Sequence, residues 1–308
     1  MKKIKWSEYL KGVFKRNKNI EFNSSLIIKS NYRPFVKQFY YSEVYLSDRL
    51  TQNHFDIFGS ELNKENICIV LSDRAFRSQY SSISVNGVYD LHFAAVQDGF
   101  QSLPIFTYDK DGIRHNNITD WALNEFKNHY NTELTKLDIF HYVYAVLHNP
   151  EYRTKYELNL KREFPRIPFY NNFFQWVECG KQLMDLHLNY ETVDKYPLQR
   201  HDSEKVKIPK AKLKADKENG LIILDDNTTL SGVPSQAWEY KLGNRSALEW
   251  ILDQYKEKTP KDKTIAEKFN SYRFADYKEQ VIDLLMRVCM VSVETIKIVQ
   301  ALTTLENK

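Results

Sequence analysis

The sequence predicts an α+β chain: a β-rich N-terminal part, mostly antiparallel, followed by a larger, mainly helical part with an inserted β-hairpin. Three observations carry this. Between Asn66 and Tyr108, short apolar and alternating runs are punctuated by Asn86-Gly87 and closed before Asp111-Gly112, as strands joined by tight turns require. From Asp120 onward, apolar residues recur at helical spacing between capping residues. Within that helical half, LIILDDNTTLSGV reads as a hairpin around Asp225-Asp226-Asn227. The boundary falls near residue 118, giving parts 1–118 and 119–308, with the hairpin at about 205–232.

The 308 residues suffice for a full core in one or two domains. Hydrophobic content of 42% and charged content of 27% are those of an ordinary soluble protein. Aromatic residues are abundant, with 20 Tyr and 18 Phe, and such rings mostly serve cores. A net charge of +4 permits a polyanionic partner without requiring one. Cys68, Cys179 and Cys289 stand at no metal spacing, the pattern of reduced thiols in a cytoplasmic protein. The N-terminus MKKIKWSEYL lacks an apolar signal core and no run reaches transmembrane length, so a cytoplasmic location without a membrane partner is expected.

In chain order, the lead segment is basic (Lys2, Lys3, Lys5, Lys11, Lys15, Arg16, Lys18) and reads as a solvated face. NYRPFVKQFYY places a turn at Pro34 before a strand. NICIVL is a short buried strand, SISVNGVYDLHFAAV alternates about an Asn86-Gly87 hairpin turn, and LPIFTYD closes the β region. Between the first two lies SDRAFRSQYSS, residues 72–82, polar and without apolar period: a loop on a sheet.

WALNEFKNHY begins the helical half. Thr135 with Asp138 forms a capping box, and Leu137, Phe140, Val143, Tyr144 and Leu147 give one apolar face. Asn149-Pro150 stops that helix and starts the next, with Asn149 as N-cap and Pro150 at the first helical position. Tyr152, Tyr156, Leu160 and Phe164 form a drifting stripe, opposite Lys155 and Arg162. Pro165 and Pro168 hold an extended exit around Arg166. NNFFQWVECGKQLMDLHLNYE is a further helix. Lysines 195, 205, 207, 210, 212, 214 and 217 then precede the hairpin; they either solubilise an edge strand or run along phosphates. Gly243 ends a short helix, Ser246 with Glu249 caps the next, and VIDLLMRVCMVSVETIKIV reads as two apolar helices split near Ser292.

YVYAVLHNPEYRTKY...LKREFPRIPF, the Tyr32-Arg33-Pro34-Phe35 element with Tyr40-Tyr41, LHLNYE at 186–191 and AWEYKLGNRSALEW at 237–250 resemble the C-terminal specificity domain of Type ISP restriction-modification enzymes. The KTPKDKTIAEKFNSY segment departs from the SGI-NDPN-like run usual there. The resemblance implies sequence-specific recognition of double-stranded DNA, without catalysis in this chain. Its partners would be methyltransferase and helicase-nuclease domains of the same polypeptide or complex. No cofactor is implied here; AdoMet, ATP and Mg²⁺ would belong to those other domains.

Chemistry and placement then nominate residues. Arg reads guanine and Gln reads adenine bidentately in the major groove, so Arg74, Arg77 and Gln79 are the candidate base readers, with Tyr80 packing nearby. Arg33, Lys37, Lys155, Arg162 and Arg166 are candidate phosphate contacts. Arg33 has the alternative of pairing inside its turn, and Arg166 that of capping the preceding helix.

Other motifs are weaker. Asn149-Pro150-Glu151-Tyr152 imitates an amino-methyltransferase turn but lacks its second proline and any Gly-rich AdoMet loop. Glu125 and Lys127, with Asp109 or Asp111, sketch a metal nuclease site, though the triplet sits in a helical pattern. His141 and His148 share a helix face without a zinc ligand set. Two rivals therefore stand beside DNA recognition: a stand-alone metal-dependent nuclease and a protein-docking scaffold.

Overall fold

The computed structural model describes residues 8–47, 50–74, 76–77, 79–94, 99–204, 206–261 and 263–306. Lys2, Lys3, Lys5 and Lys205 of the basic runs, and the end of the HFAAV stretch, lie outside the described residues.

Helix α1 (Glu8–Lys15) precedes a hairpin of β1 (Ile27–Arg33) and β2 (Val36–Tyr41), turned at Pro34-Phe35. Phe35 takes φ +59° and buries its ring. After α2 (Gln52–Phe58), strand β3 (Ile67–Ser72) runs between β4 (Ser82–Asn86) and β5 (Phe100–Pro104), antiparallel to both. Its unbroken apolar run is explained by burial on both faces.

The expected Asn86-Gly87 hairpin does not form. Strand β4 is an edge, and Gly87 (φ +85°) redirects the chain to β1. There Asn31 N–H donates to Val88 O at 2.8 Å and Asp90 N–H to Asn31 O at 3.0 Å. Asn31 Nδ2 donates to Asn86 O at 2.9 Å, so a residue far away in sequence replaces the local turn partner. Asp111-Gly112 does turn a hairpin, β6 (Phe106–Tyr108) to β7 (Arg114–Asn116).

Helices α3 (Asp120–Tyr130), α4 (Lys136–His148), α5 (Pro150–Lys155), α6 (Glu157–Leu160) and α7 (Phe173–Leu188) follow. The Thr135/Asp138 box and the Asn149 cap are both present. Helix α4 is buried on more than the one face its spacing indicates: Tyr142, Ala145 and Val146 are enclosed, while Leu137 in its first turn is 47% exposed. The helix is wedged between α7 and β4, and a helix covered on two sides is apolar nearly all round. At Gly180 of α7 any Cβ would lie 1.9 Å from His141 O, so the two helices meet backbone to backbone. The aromatic stripe also breaks: Tyr156 leaves helical geometry, Tyr152 and Leu160 are buried, and Phe164 is exposed.

The inserted hairpin is the centre of a larger sheet. Strands β8 (Gln199–Asp202), β9 (Ala211–Asp216), β10 (Leu221–Asp225) and β11 (Thr228–Ser231) are ordered β8-β11-β10-β9. The polar flanks supply its two edge strands, β8 with Arg200 and Asp202 and β9 with Lys212 and Lys214, where charged side chains guard the sheet edge. Then come α8 (Gln236–Glu239), a small ribbon of β12 (Lys241–Leu242) and β13 (Arg245–Ser246), α9 (Ala247–Gln254), α10 (Lys263–Phe269) and α11 (Phe274–Glu306). Gly243 (φ +64°) forms the turn of the ribbon rather than a helix end. Helix α11 is one helix of 33 residues; Ser292 does not split it, because its Oγ donates to Val288 O at 2.7 Å inside the core.

The two faces of β3 feed two cores. Cys68 and Val70 join a cluster with Phe35, Leu248 and Leu285; Ile69 and Leu71 join one with Tyr142, Trp176 and Leu183. Both clusters draw residues from either side of residue 118.

Candidate nucleic-acid interface

Four stretches far apart in sequence meet around His187. Its Nδ1 bonds Tyr144 Oη at 2.5 Å, and its Nε2 bonds Thr295 Oγ1 at 3.0 Å. The Tyr240 ring stacks on it with centroids 5.3 Å apart, and Phe35 meets it edge-on at 6.3 Å. The Ser84 N–H donates to Tyr144 Oη at 2.7 Å, so the hydroxyl proton is directed to His187 Nδ1 and Nε2–H donates to Thr295. Burial and the nearby Arg153 charge drive the His187 pKa down to about 3. His148, 5.5 Å away, is held well below its ordinary value by burial, Arg153 and His187. Both rings are therefore neutral groups of the core at neutral pH.

This polar core supports a surface loop. Residues 73–81 connect β3 to β4, and the stem is closed by Ser72 N–H to Ser81 O at 3.0 Å and Ser81 N–H to Ser72 Oγ at 3.1 Å. Asp73 accepts from Arg74 N–H at 2.7 Å and from the Gln101 amide. Two residues face inward: Phe76 and Tyr80 are buried, with ring centroids 5.8 Å apart. Arg74, Arg77 and Gln79 face solvent. The loop thus alternates anchors with presented polar side chains. Tyr80 belongs to the anchors, because its ring is 8% exposed and cannot offer an edge to a base.

Helices α5 and α6 flank the loop. Arg153 lies over the Tyr80 ring at 5.5 Å and Lys161 over the Phe76 ring at 5.6 Å. Arg153 is the residue sequence reasoning missed. Its Nε donates to Leu147 O at 2.6 Å and its Nη2 to Ser82 Oγ at 3.1 Å, joining α4, α5 and β4. The only signal for it was an arginine set directly after the buried Tyr152. Lys155, at the end of α5, and Arg162, in the turn after α6, are both exposed, and neither has a carboxylate partner among the described residues. The extended exit is pinned by hydroxyls: Tyr152 donates to Arg166 O at 3.0 Å, Tyr142 to Pro168 O at 2.7 Å and Tyr130 to Tyr170 O at 2.8 Å. Arg166 is exposed and pairs with Glu163 at 2.8 Å.

The remaining candidates lie elsewhere. Arg33 is bound to Asp90 at 2.6 Å, donates to Tyr32 O and keeps an 18% exposed side chain. Lys37 pairs with Glu191 at 2.5 Å over the Tyr190 ring. Both tie the β1–β2 hairpin to its neighbours, which leaves little free charge for a phosphate. Asn149 Oδ1 accepts from Glu151 N–H at 3.0 Å as a helix cap, not as a base-holding group. The nuclease triplet is not assembled: Lys127 pairs with Glu133, Asp109 with His115, and Glu125 faces solvent. Among the described residues no group of three His, Cys, Asp or Glu is placed to hold a metal, and no helix is long and apolar enough to cross a membrane.

The model of the Type ISP C-terminal specificity domain matches residues 1–284. The chain belongs to this family. Its fold is shared by solved structures of much longer proteins. A DrdV–DNA complex is 45% identical over 96% of this chain and 30% of that chain, with a TM-score of 0.91. A nuclease-deletion mutant of the Type ISP enzyme LlaGI, in complex with a DNA substrate mimic, is 30% identical over 96% of this chain and 26% of that one, TM-score 0.76. The ATP-dependent Type ISP enzyme LlaBIII bound to DNA is 28% identical over 97% and 20%, TM-score 0.80. The specificity domain therefore spans less than a third of the length of these proteins. No curated protein matches it. The four stretches that carry the family resemblance each place a residue in this cluster, Phe35, Tyr144, His187 itself and Tyr240, where Thr295 of α11 joins them, so the signature marks the shared scaffold.

Proposed function

We propose that this chain recognises a DNA target sequence for a Type ISP-like restriction-modification enzyme, without itself making or breaking covalent bonds. The observation that carries the reading is the β3–β4 loop. It presents Arg74, Arg77 and Gln79 outward on a stem fixed by buried Phe76 and Tyr80, beside the exposed cations Lys155 and Arg162. Rigid presentation of bidentate donors suits base-edge readout, at about 1–3 kcal/mol of discrimination per good pair. Flanking cations suit phosphates, which set register. The three solved relatives are DNA complexes.

Methyltransferase and helicase-nuclease domains are the partners this role requires, and AdoMet, ATP and Mg²⁺ would act there. The test is selection of duplexes from a random pool by this chain alone. Enrichment of one motif supports the reading; retention of duplexes with no motif overturns it.

A further inference from the structure

We propose that a second basic surface, a cleft between edge strand β9 and the segments flanking α10, holds the DNA backbone. The proposal rests on the DNA-recognition reading. The cleft has a volume of about 430 Å³ and gathers cations from chain segments more than forty residues apart: Lys210 and Lys212 on one wall, Lys256, Lys258 and Arg273 on the other.

Three of the five charges have no carboxylate partner among the described residues. Lys212 pairs with Asp226 at 2.9 Å and Lys258 reaches Asp253 at 3.4 Å. Lys210, Lys256 and Arg273 make no ion pair among the described residues; Arg273 donates only to the Asn270 and Tyr272 carbonyls. The one carboxylate in the lining, Glu257, is turned to the start of α11, where it accepts from Phe274 N–H at 2.9 Å. Uncompensated cations lining one concavity repel one another, and a polyanion relieves that repulsion.

The strand wall is shaped locally. β9 carries one more residue than β10 between the pairs Ala211–Asp225 and Lys214–Ile223. Leu213 adopts φ +44°, in the left-handed region, and buries its side chain in the core. A bulge of this kind re-aims side chains at a sheet edge, and strain is retained where the surroundings enforce it. Here Lys212 and Lys214 stay exposed on either side of the buried Leu213, on a strand that forms the edge of its sheet. The ligand is a phosphodiester backbone, held without regard to sequence.

The test compares the wild-type chain with Lys210→Gln/Lys256→Gln/Arg273→Gln and with Arg74→Gln/Arg77→Gln, using a fluorescein-labelled duplex of mixed sequence across a salt series. The cleft variant is expected to bind every duplex at least tenfold more weakly at low salt. Its slope of log affinity against log salt should fall by about 2–3, at about 0.9 for each phosphate that is no longer neutralised. Its melting temperature should fall only slightly, since none of the three side chains makes an ion pair among the described residues and the Arg273 bonds are exposed ones to carbonyls of its own segment. An unchanged slope and affinity overturns the cleft and leaves the loop reading intact. A reduced slope with no sequence preference in the wild type supports the cleft and overturns the loop. A wild-type chain that binds no duplex overturns both.

Discussion

The Arg153 guanidinium lies over the Tyr80 ring, 5.5 Å from its centre. One cation thus ties the loop that presents Arg74 and Arg77 to the α5–α6 segment, which carries Lys155 and leads into the turn holding Arg162. It does so without a carboxylate partner among the described residues, satisfied by the Leu147 carbonyl and the Ser82 hydroxyl. Replacing it by Met removes both of its hydrogen bonds and leaves Leu147 O with only the longer bond from Ser82 Oγ, at 3.4 Å, a loss of about 1–3 kcal/mol. Arg153→Met should lower the melting temperature and speed amide exchange across residues 73–81. Unchanged exchange in that loop would show that Arg153 does not hold it.

Loop and platform should separate in their effects. Arg74→Gln and Arg77→Gln are each expected to relax discrimination by about 1–3 kcal/mol at one position while binding persists. Lys155→Gln and Arg162→Gln should weaken all sequences evenly and reduce the salt slope by about 1 each. Competition titrations with matched and altered duplexes distinguish these patterns.

Arg33→Gln and Lys37→Gln should act on stability instead. Each loses a partner, Asp90 or Glu191, that fastens the β1–β2 hairpin. Partly exposed pairs are worth about 1 kcal/mol or less, so a small fall in denaturant midpoint with an unchanged salt slope is the expected outcome.

Much of this arrangement was legible in the sequence. The capping box at Thr135/Asp138, the Asn149-Pro150 junction and the Asp225-Asp226-Asn227 turn are local, and local chemistry decided them. Asn86-Gly87 and Gly243 misled because the same residues serve more than one backbone geometry, and tertiary partners chose: Asn31 for the first, the β12–β13 ribbon for the second. Ser292 misled because a serine inside an apolar run can bond back to its own helix. The loop's exposed face could be read from its polarity, but its anchors could not. Phe76 and Tyr80 show no period, and their burial depends on α5 and α6 lying alongside.

Gly180 gives a prediction about packing. Gly180→Ala forces a methyl group against His141 O, and overpacking of this kind costs about 1–3 kcal/mol. Thermal unfolding should show a fall of several degrees, and co-substitution on the α4 surface should not rescue it, since the obstacle is backbone.

The histidine pair predicts acid lability. His187 in the folded chain has its pKa near 3, and His148 is depressed as well, whereas both sit at about 6.5 when unfolded. Above that value neither state is protonated and the effect vanishes. As pH falls below about 6.5, the unfolded chain takes up protons that the folded core refuses, so stability is lost progressively. Urea midpoints at about pH 7.5 and about pH 5 should differ in this sense, and His187→Gln should reduce the difference, one of the depressed histidines having been removed.

The most direct measurement repeats the random-duplex selection with Arg74→Gln/Arg77→Gln beside the wild type. The account predicts one motif for the wild type and, for the variant, loss of preference at particular positions of that motif with duplex binding retained. An identical motif from both proteins would contradict it, placing the reading surface away from the β3–β4 loop.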